Sequence, residues 1–283
     1  MPHVNLPRLA RRAVAPALAS VAALTLAACS QDVGNGLPAG SDVTNQSARI
    51  TSLWNYTWIA GLIVLVIVMG LILFPVARYR KRKGDEKLPV QTRVNLPLEL
   101  MYTIIPLLMI GVLFKYTAED IAAIQDTSQP AEVHIQVVGK QWSWDFNYLD
   151  ENVYLAGVQP ELTGKEGVQE LLPALYLPVN KRVEFTVDSR DVIHSFWIPA
   201  FLFKVDAIPG RTNTFQVIPQ REGTYAGKCA ELCGEYHASM LFTVKVVSQE
   251  EYDAYIEHLR DIGNIGTLGL EYNRDAVVEG GNG

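Results

Sequence analysis

The chain has 283 residues, a net charge of −6 at neutral pH and 49% hydrophobic residues. That length suffices for one or two buried cores, and the acidic balance, with no broad basic face, excludes a nucleic-acid partner. The apolar excess is gathered into a few runs, which points to membrane segments rather than to one large soluble core.

Residues 1–28 read as an export signal. Arg8, Arg11 and Arg12 form a positive start, and an Ala/Leu/Val-rich stretch follows, ending in "LTLAAC". "LAAC" at 26–29 resembles a bacterial lipoprotein cleavage box, which implies cleavage before Cys29 and a lipid on its thiol. Ordinary signal cleavage nearby, with Cys29 incidental, is the alternative. Residues 29–53 are polar and read as a linker.

The stretch 54–117 reads as a transmembrane helical hairpin. "YTWIAGLIVLVIVMGLILFPV" supplies the roughly 20 uncharged residues that a bilayer core requires of a helix. Arg78, Arg80, Lys81, Arg82 and Lys83 follow it and mark the cytoplasmic side. Trp54, Tyr56 and Trp58 suit an aromatic belt at the outer interface. The second run, 96–116, has Asn95 as a cap, Pro97 in its first turn and Pro106 as a source of a bend. Glu99 sits near its cytoplasmic end, either as a carboxylate favoured by the helix N-terminus or as a proton-path group. Both the N-terminus and the residues after 117 then lie outside.

Residues 118–262 form the outer domain. "EVHIQVVGKQWSWDFNY", "ALYLPVNKRVEFTVDS", "TNTFQVIP", "GTYAGKC" and "SMLFTVKVVS" are short alternating segments rich in β-branched and aromatic residues. They predict an antiparallel sandwich or Greek-key barrel. Trp142 and Trp144, two apart, are expected on one strand face. Residues 156–174 read as a long loop, "SQEEYDAYIEHLRDIG" as a closing amphipathic helix and 263–283 as a C-terminal tail, disordered at "VVEGGNG".

"KCAELCGEYHASM", residues 228–240, concentrates the chemistry. Cys229, Cys233, His237 and Met240 are soft or borderline donors, a set that selects copper over hard ions. "DVIHSFWIP" supplies a second histidine, His194, expected at the end of a strand. Two cysteines four apart can bridge a pair of coppers, each ion taking one histidine. A structural zinc site would have little use for the thioether. A Cys229–Cys233 disulfide leaves His194, His237 and Met240 without a reason. His3, His134 and His258 lack such company.

"CAELCGEYHASM" matches C-x-E-x-C-G-x-x-H-x-x-M and, with "QWSWDF", "DVIHSFWIP" and "KVDAIPGR" in order behind a two-helix hairpin, resembles cytochrome c oxidase subunit II. The resemblance implies a cupredoxin-like domain that holds a dinuclear CuA copper centre through His194, Cys229, Cys233, His237, Met240 and the carbonyl of Glu231. It implies a magnesium or manganese ion on the Glu231 carboxylate at the boundary with subunit I, with Asp206 and Arg211 nearby. It makes Trp142 the point of electron arrival from a c-type cytochrome and Glu99 the mouth of a proton path. The implied function is that of subunit II in an aa3-type oxidase of a bacterial cell membrane. Subunits I and III would be its partners, and oxygen reduction and proton pumping would lie in subunit I. Ser143 and Phe146 stand where many relatives carry tyrosines. Two other readings are the structural subunit II of a quinol oxidase, which lacks the ligand set, and a membrane-anchored copper carrier, which gains nothing from the hairpin.

Overall fold

The computed structural model describes residues 36–38, 42–81, 84, 88, 90–159 and 171–269. The signal segment 1–28, Cys29, His3, most of the linker, Arg82, Lys83, residues 160–170 of the expected loop and the tail from 270 lie outside the described residues.

Two long helices come first: α1, Ser47–Arg78, and α2, Leu96–Ile124. Both are long and apolar enough to cross a membrane, and their apolar side chains stay exposed all round, as helices meant for lipid or partner helices do. Both exceed the apolar runs that bound the expected hairpin. α1 takes in the last residues of the expected linker, and α2 continues past 117 into the stretch assigned to the outer domain. The extra turns are polar and pair with each other, Arg49 Nη1 to Asp120 Oδ1 at 2.7 Å, so a helix can outlast its hydrophobic stretch. At the other end of α2, Asn95 Oδ1 accepts the Leu98 N–H and Glu99 Oε1 accepts the Asn95 N–H, a reciprocal cap. The helix runs unbroken through Pro106.

The outer domain is a sandwich of two five-stranded sheets. One has the order β3-β2-β1-β5-β8, made of Val133–Lys140 (β1), Ser143–Tyr148 (β2), Val153–Leu155 (β3), Val183–Ser189 (β5) and Asn213–Val217 (β8). The other has the order β4-β10-β9-β6-β7, from Ala174–Pro178 (β4), Leu241–Val247 (β10), Gly223–Cys229 (β9), His194–Ile198 (β6) and Phe203–Ala207 (β7). Most neighbouring strands pair antiparallel as expected, and two pairs do not. β1 pairs parallel with β5, and β10 pairs parallel with β4. Long crossovers between the sheets bring those strands side by side in the same direction.

Trp144, Phe146, Phe185, Phe196 and Phe242 fill the space between the sheets. Trp144 meets Phe196 and Phe242 edge-on at 5.5 and 5.6 Å, and Phe196 stacks on Phe242 at 4.9 Å. Each such pair adds about 0.5–1.5 kcal/mol beyond its buried area. The closing helix, α3, Gln249–Asp261, is capped by Ser248 and buries Tyr252, Ile256 and Leu259, spaced as a helix face requires. The first residues of the expected tail are tied down. Tyr154 N donates to Asn264 O, and Leu268 N donates to Asn147 Oδ1.

The hairpin joins the domain at β8. Thr44 bridges Pro219, Asn45 N donates to Ile218 O at 3.1 Å, and Ile124 borders a small crevice with Phe201, Phe203 and Phe215. Sheet register then sets up the remote end. Phe196 of β6 stands opposite Cys229 of β9, and Cys229 N donates to Met240 O at 3.0 Å. The loop 230–240 therefore closes between adjacent strand ends and beside the first residue of β6.

Candidate metal centre

His194 opens β6 rather than ending a strand, because the bend at 190–193 precedes the pairing with β7. Its ring is fully buried and nests on Gly139 of β1, where a Cβ would lie 2.9 Å from His194 Cδ2. Trp144 flanks it edge-on at 6.0 Å. Asp191 Oδ1 bonds His194 Nε2 at 2.7 Å, which turns Nδ1 toward the cysteines. Asp191 is itself fixed by the Val192 and Gln141 N–H groups, each at 2.7 Å.

The sulfurs of Cys229 and Cys233 are 3.9 Å apart and both residues are buried and unbridged. Each sulfur has its own imidazole. His194 Nδ1 is 3.9 Å from Cys229 Sγ, and His237 Nδ1 is 3.5 Å from Cys233 Sγ. The Glu231 carbonyl oxygen lies 3.2 Å from Cys229 Sγ, and Met240 Sδ lies 3.7 Å from Cys233 Sγ. Donors sharing one ion at about 2.3 Å for sulfur and about 2.0–2.1 Å for imidazole nitrogen stand at most about 4.6 Å apart. All four sulfur–nitrogen and sulfur–sulfur spacings meet that limit, and His194, Cys229 and Cys233 place their donor atoms within 4.8 Å of one another. The soft, two-ended donor set fits copper.

Protonation separates the two thiols. Burial pushes Cys229 up, but hydrogen bonds from His194 and from the Ser195 and Glu231 main chain outweigh it and hold the thiol below its ordinary range. Burial and the neighbouring Cys229 push Cys233 up to about 12. Burial works against the charged form of His194, and the bonds to Asp191 and Cys229 reverse this and raise it. A metal held by the two cysteines would replace the proton on Cys233 and favour both as thiolates.

The sequence profile described as "Cytochrome C oxidase subunit II, periplasmic domain" matches residues 133–247, the span from β1 to β10. A probable cytochrome c oxidase subunit 2 of Streptomyces avermitilis is 41% identical over 267 residues, covering 83% of this chain and 81% of that protein. The chain belongs to the cytochrome c oxidase subunit II family. Cytochrome c oxidase subunit 2 of Mycobacterium tuberculosis is 33% identical over 301 residues, covering 89% of this chain and 82% of that one. Among solved structures, the periplasmic domain of subunit II of cytochrome oxidase of Bradyrhizobium japonicum is 34% identical, with a TM-score of 0.43, covering 47% of this chain and 97% of that chain.

Among the residues expected in a subunit II site, His194, Cys229, Cys233, His237, Met240 and the Glu231 carbonyl converge, as described. The Glu231 side chain is exposed, as are Asp206 on β7 and Arg211 in the turn after it. Trp142 and Trp144 do not share a strand face. Trp142 sits in the two-residue turn between β1 and β2, where the alternation breaks, and Trp144 faces the core. From that turn Trp142 Nε1 donates to the Cys233 carbonyl at 3.2 Å, and its ring meets Tyr236 edge-on at 4.9 Å. Glu99 lies in the first turn of α2 and not in this cluster. Asp191, Gln141 and Gly139 also build the site. Asp191 carried a sequence signal, three residues before His194 in "DVIHSF", whereas Gly139 reads as one more strand residue.

Proposed function

We propose that this chain is the electron-accepting subunit of an aa3-type cytochrome c oxidase, taking electrons from a c-type cytochrome at a dinuclear copper centre and passing them to haem in subunit I. The reading rests on one observation above all. Two buried cysteine sulfurs lie 3.9 Å apart, and each faces a different histidine. His194, Cys229, Cys233, His237, Met240 and the Glu231 carbonyl are the proposed copper donors. A bound copper pair supplies one-electron redox capacity shared over two ions.

The chain's own residues do the rest. Asp191 fixes the His194 ring, the closed loop 230–240 keeps the sulfurs from water, and the fully buried Met240 adds a weak soft donor. A site so completely furnished with protein donors has no open position for substrate, which suits relay rather than catalysis at the metal. Trp142, half-buried above the Cys233 carbonyl, is the proposed point of electron arrival. The exposed Glu231 carboxylate, a hard donor, is proposed to take magnesium or manganese at the boundary with subunit I.

The hairpin anchors the domain on the outer face of a bacterial membrane against subunits I and III, with Cys29 as an added lipid anchor. Glu99 marks the mouth of a proton path that serves pumping in subunit I. A quinol oxidase subunit would not need the sulfur pair.

Copper analysis and EPR of the full chain in detergent test this. About two coppers per chain with one delocalised unpaired electron is the expected result, and a single blue copper overturns it. Trp142→Phe is expected to slow electron uptake from a reduced c-type cytochrome about tenfold, about 1.4 kcal/mol on the barrier, with two coppers still bound. Stopped-flow kinetics would read it, and an unchanged rate removes Trp142 from the path.

A further inference from the structure

The metal ligands come from one sheet and its loop, yet the tip of a hairpin in the other sheet touches both halves of the site. Gln141, in the β1–β2 turn, donates its side-chain Nε2 to the Cys233 carbonyl at 2.7 Å. Its backbone N–H donates to Asp191 Oδ2 at 2.7 Å, and Asp191 Oδ1 bonds the His194 ring. One residue thus connects the half built on His194 to the half built on Cys233, His237 and Met240.

The geometry around Cys233 shows why this connection matters. The residue after it, Gly234, has φ +127°, a backbone conformation that glycine adopts and side-chain-bearing residues rarely do. A Cβ at 234 would stand 3.1 Å from Gln141 Nε2 and from the Trp142 ring, so glycine is also what allows the turn to approach. The carbonyl of the Cys233–Gly234 peptide is held from outside the loop, by Gln141 at 2.7 Å and by Trp142 at the longer 3.2 Å. The Cys233 side chain departs from the same Cα, and its sulfur is common to Cys229, His237 and Met240.

We infer that Gln141 is a positioning residue for the copper pair: its side-chain amide holds the Cys233 half of the site in register with the His194 half that its backbone holds through Asp191. The inference rests on the dinuclear copper reading and deepens it. Gln141 works through a carbonyl one bond from the Cys233 Cα.

The test uses copper-loaded full chain in detergent, with Gln141→Met, which removes the donor at similar length, and Gln141→Glu, which removes it at similar size and puts an acceptor-only carboxylate in its place. Competition for copper against a chelator should show about a tenfold loss of affinity in both, as for other groups that orient ligands. The mixed-valence EPR spectrum should shift toward unequal sharing of the electron. A merely architectural hydrogen bond would instead lower the thermal midpoint of the copper-free chain and leave affinity and spectrum as in the wild type, and that result overturns the inference. Loss in Gln141→Met alone also overturns it, since the donor is absent from both variants. Wild-type chain that fails to bind two coppers overturns the dinuclear reading and this inference together. Wild-type chain that binds two, with both variants equal to it, overturns this inference alone.

Discussion

Cys233→Ser is expected to abolish the mixed-valence copper signal and reduce bound copper from about two per chain to one or none. Its sulfur stands 3.9 Å from Cys229 Sγ, 3.5 Å from His237 Nδ1 and 3.7 Å from Met240 Sδ, three donor neighbours, as many as Cys229 Sγ has. A serine hydroxyl is a hard, neutral donor that cannot bridge two soft ions. His237 and Met240 then lose the thiolate that makes them a binding half. Cys229, His194 and the Glu231 carbonyl survive as the beginnings of a mononuclear site. The fold has less at stake, because a buried hydroxyl can cost about 1–3 kcal/mol and the aromatic core between the sheets is untouched. Metal analysis, EPR and a thermal melt of the same sample separate the two effects. A retained delocalised signal would mean that the cysteines do not bridge.

Most of this site could be read from the chain because its ligands follow a spacing that only chemistry explains. Four soft or borderline donors in thirteen residues, Cys229, Cys233, His237 and Met240, cannot be accounted for by packing. The strands were legible where side chains alternate, as in β1, β5 and β10. They were obscure where burial is two-sided or the strand is short. β6 is buried on nearly every residue, β3 has three residues, and β7 is a five-residue strand that carries Lys204 and Asp206 outward. Parallel pairing of β1 with β5 depends on crossovers that leave no local trace. Trp142 shows the same limit at one residue. The period-2 rule holds along a strand, and a two-residue turn interrupts it just where the indole must leave the sheet to reach the Cys233 carbonyl. Helix ends were missed for a different reason, since hydropathy ends where the bilayer ends while hydrogen bonding and the Arg49–Asp120 pair carry the helices further.

Gly139→Ala is expected to weaken copper binding by about 10–100-fold, the range typical of changes to groups that orient metal ligands. The added methyl carbon would sit 2.9, 3.2 and 3.3 Å from Cδ2, Cγ and Cβ of His194, so the whole base of the imidazole is obstructed. The ring cannot simply slide away. Trp144 flanks it at 6.0 Å within the packed core, and Asp191 holds its far nitrogen at 2.7 Å. Either β1 recedes from β6 or the ring tilts about its bond to Asp191, and both movements carry Nδ1 away from Cys229 Sγ. Overpacking of this kind costs about 1–3 kcal/mol, and the cost falls unevenly. Metal-free chain can absorb it by tilting the ring, whereas the copper-bound site needs the ring where it was. Copper should therefore stabilise the variant less than the wild type. The difference between copper-bound and copper-free thermal midpoints measures this directly, together with a chelator titration. Equal stabilisation by copper in the two chains would show that the floor beneath His194 does not set its position at the metal.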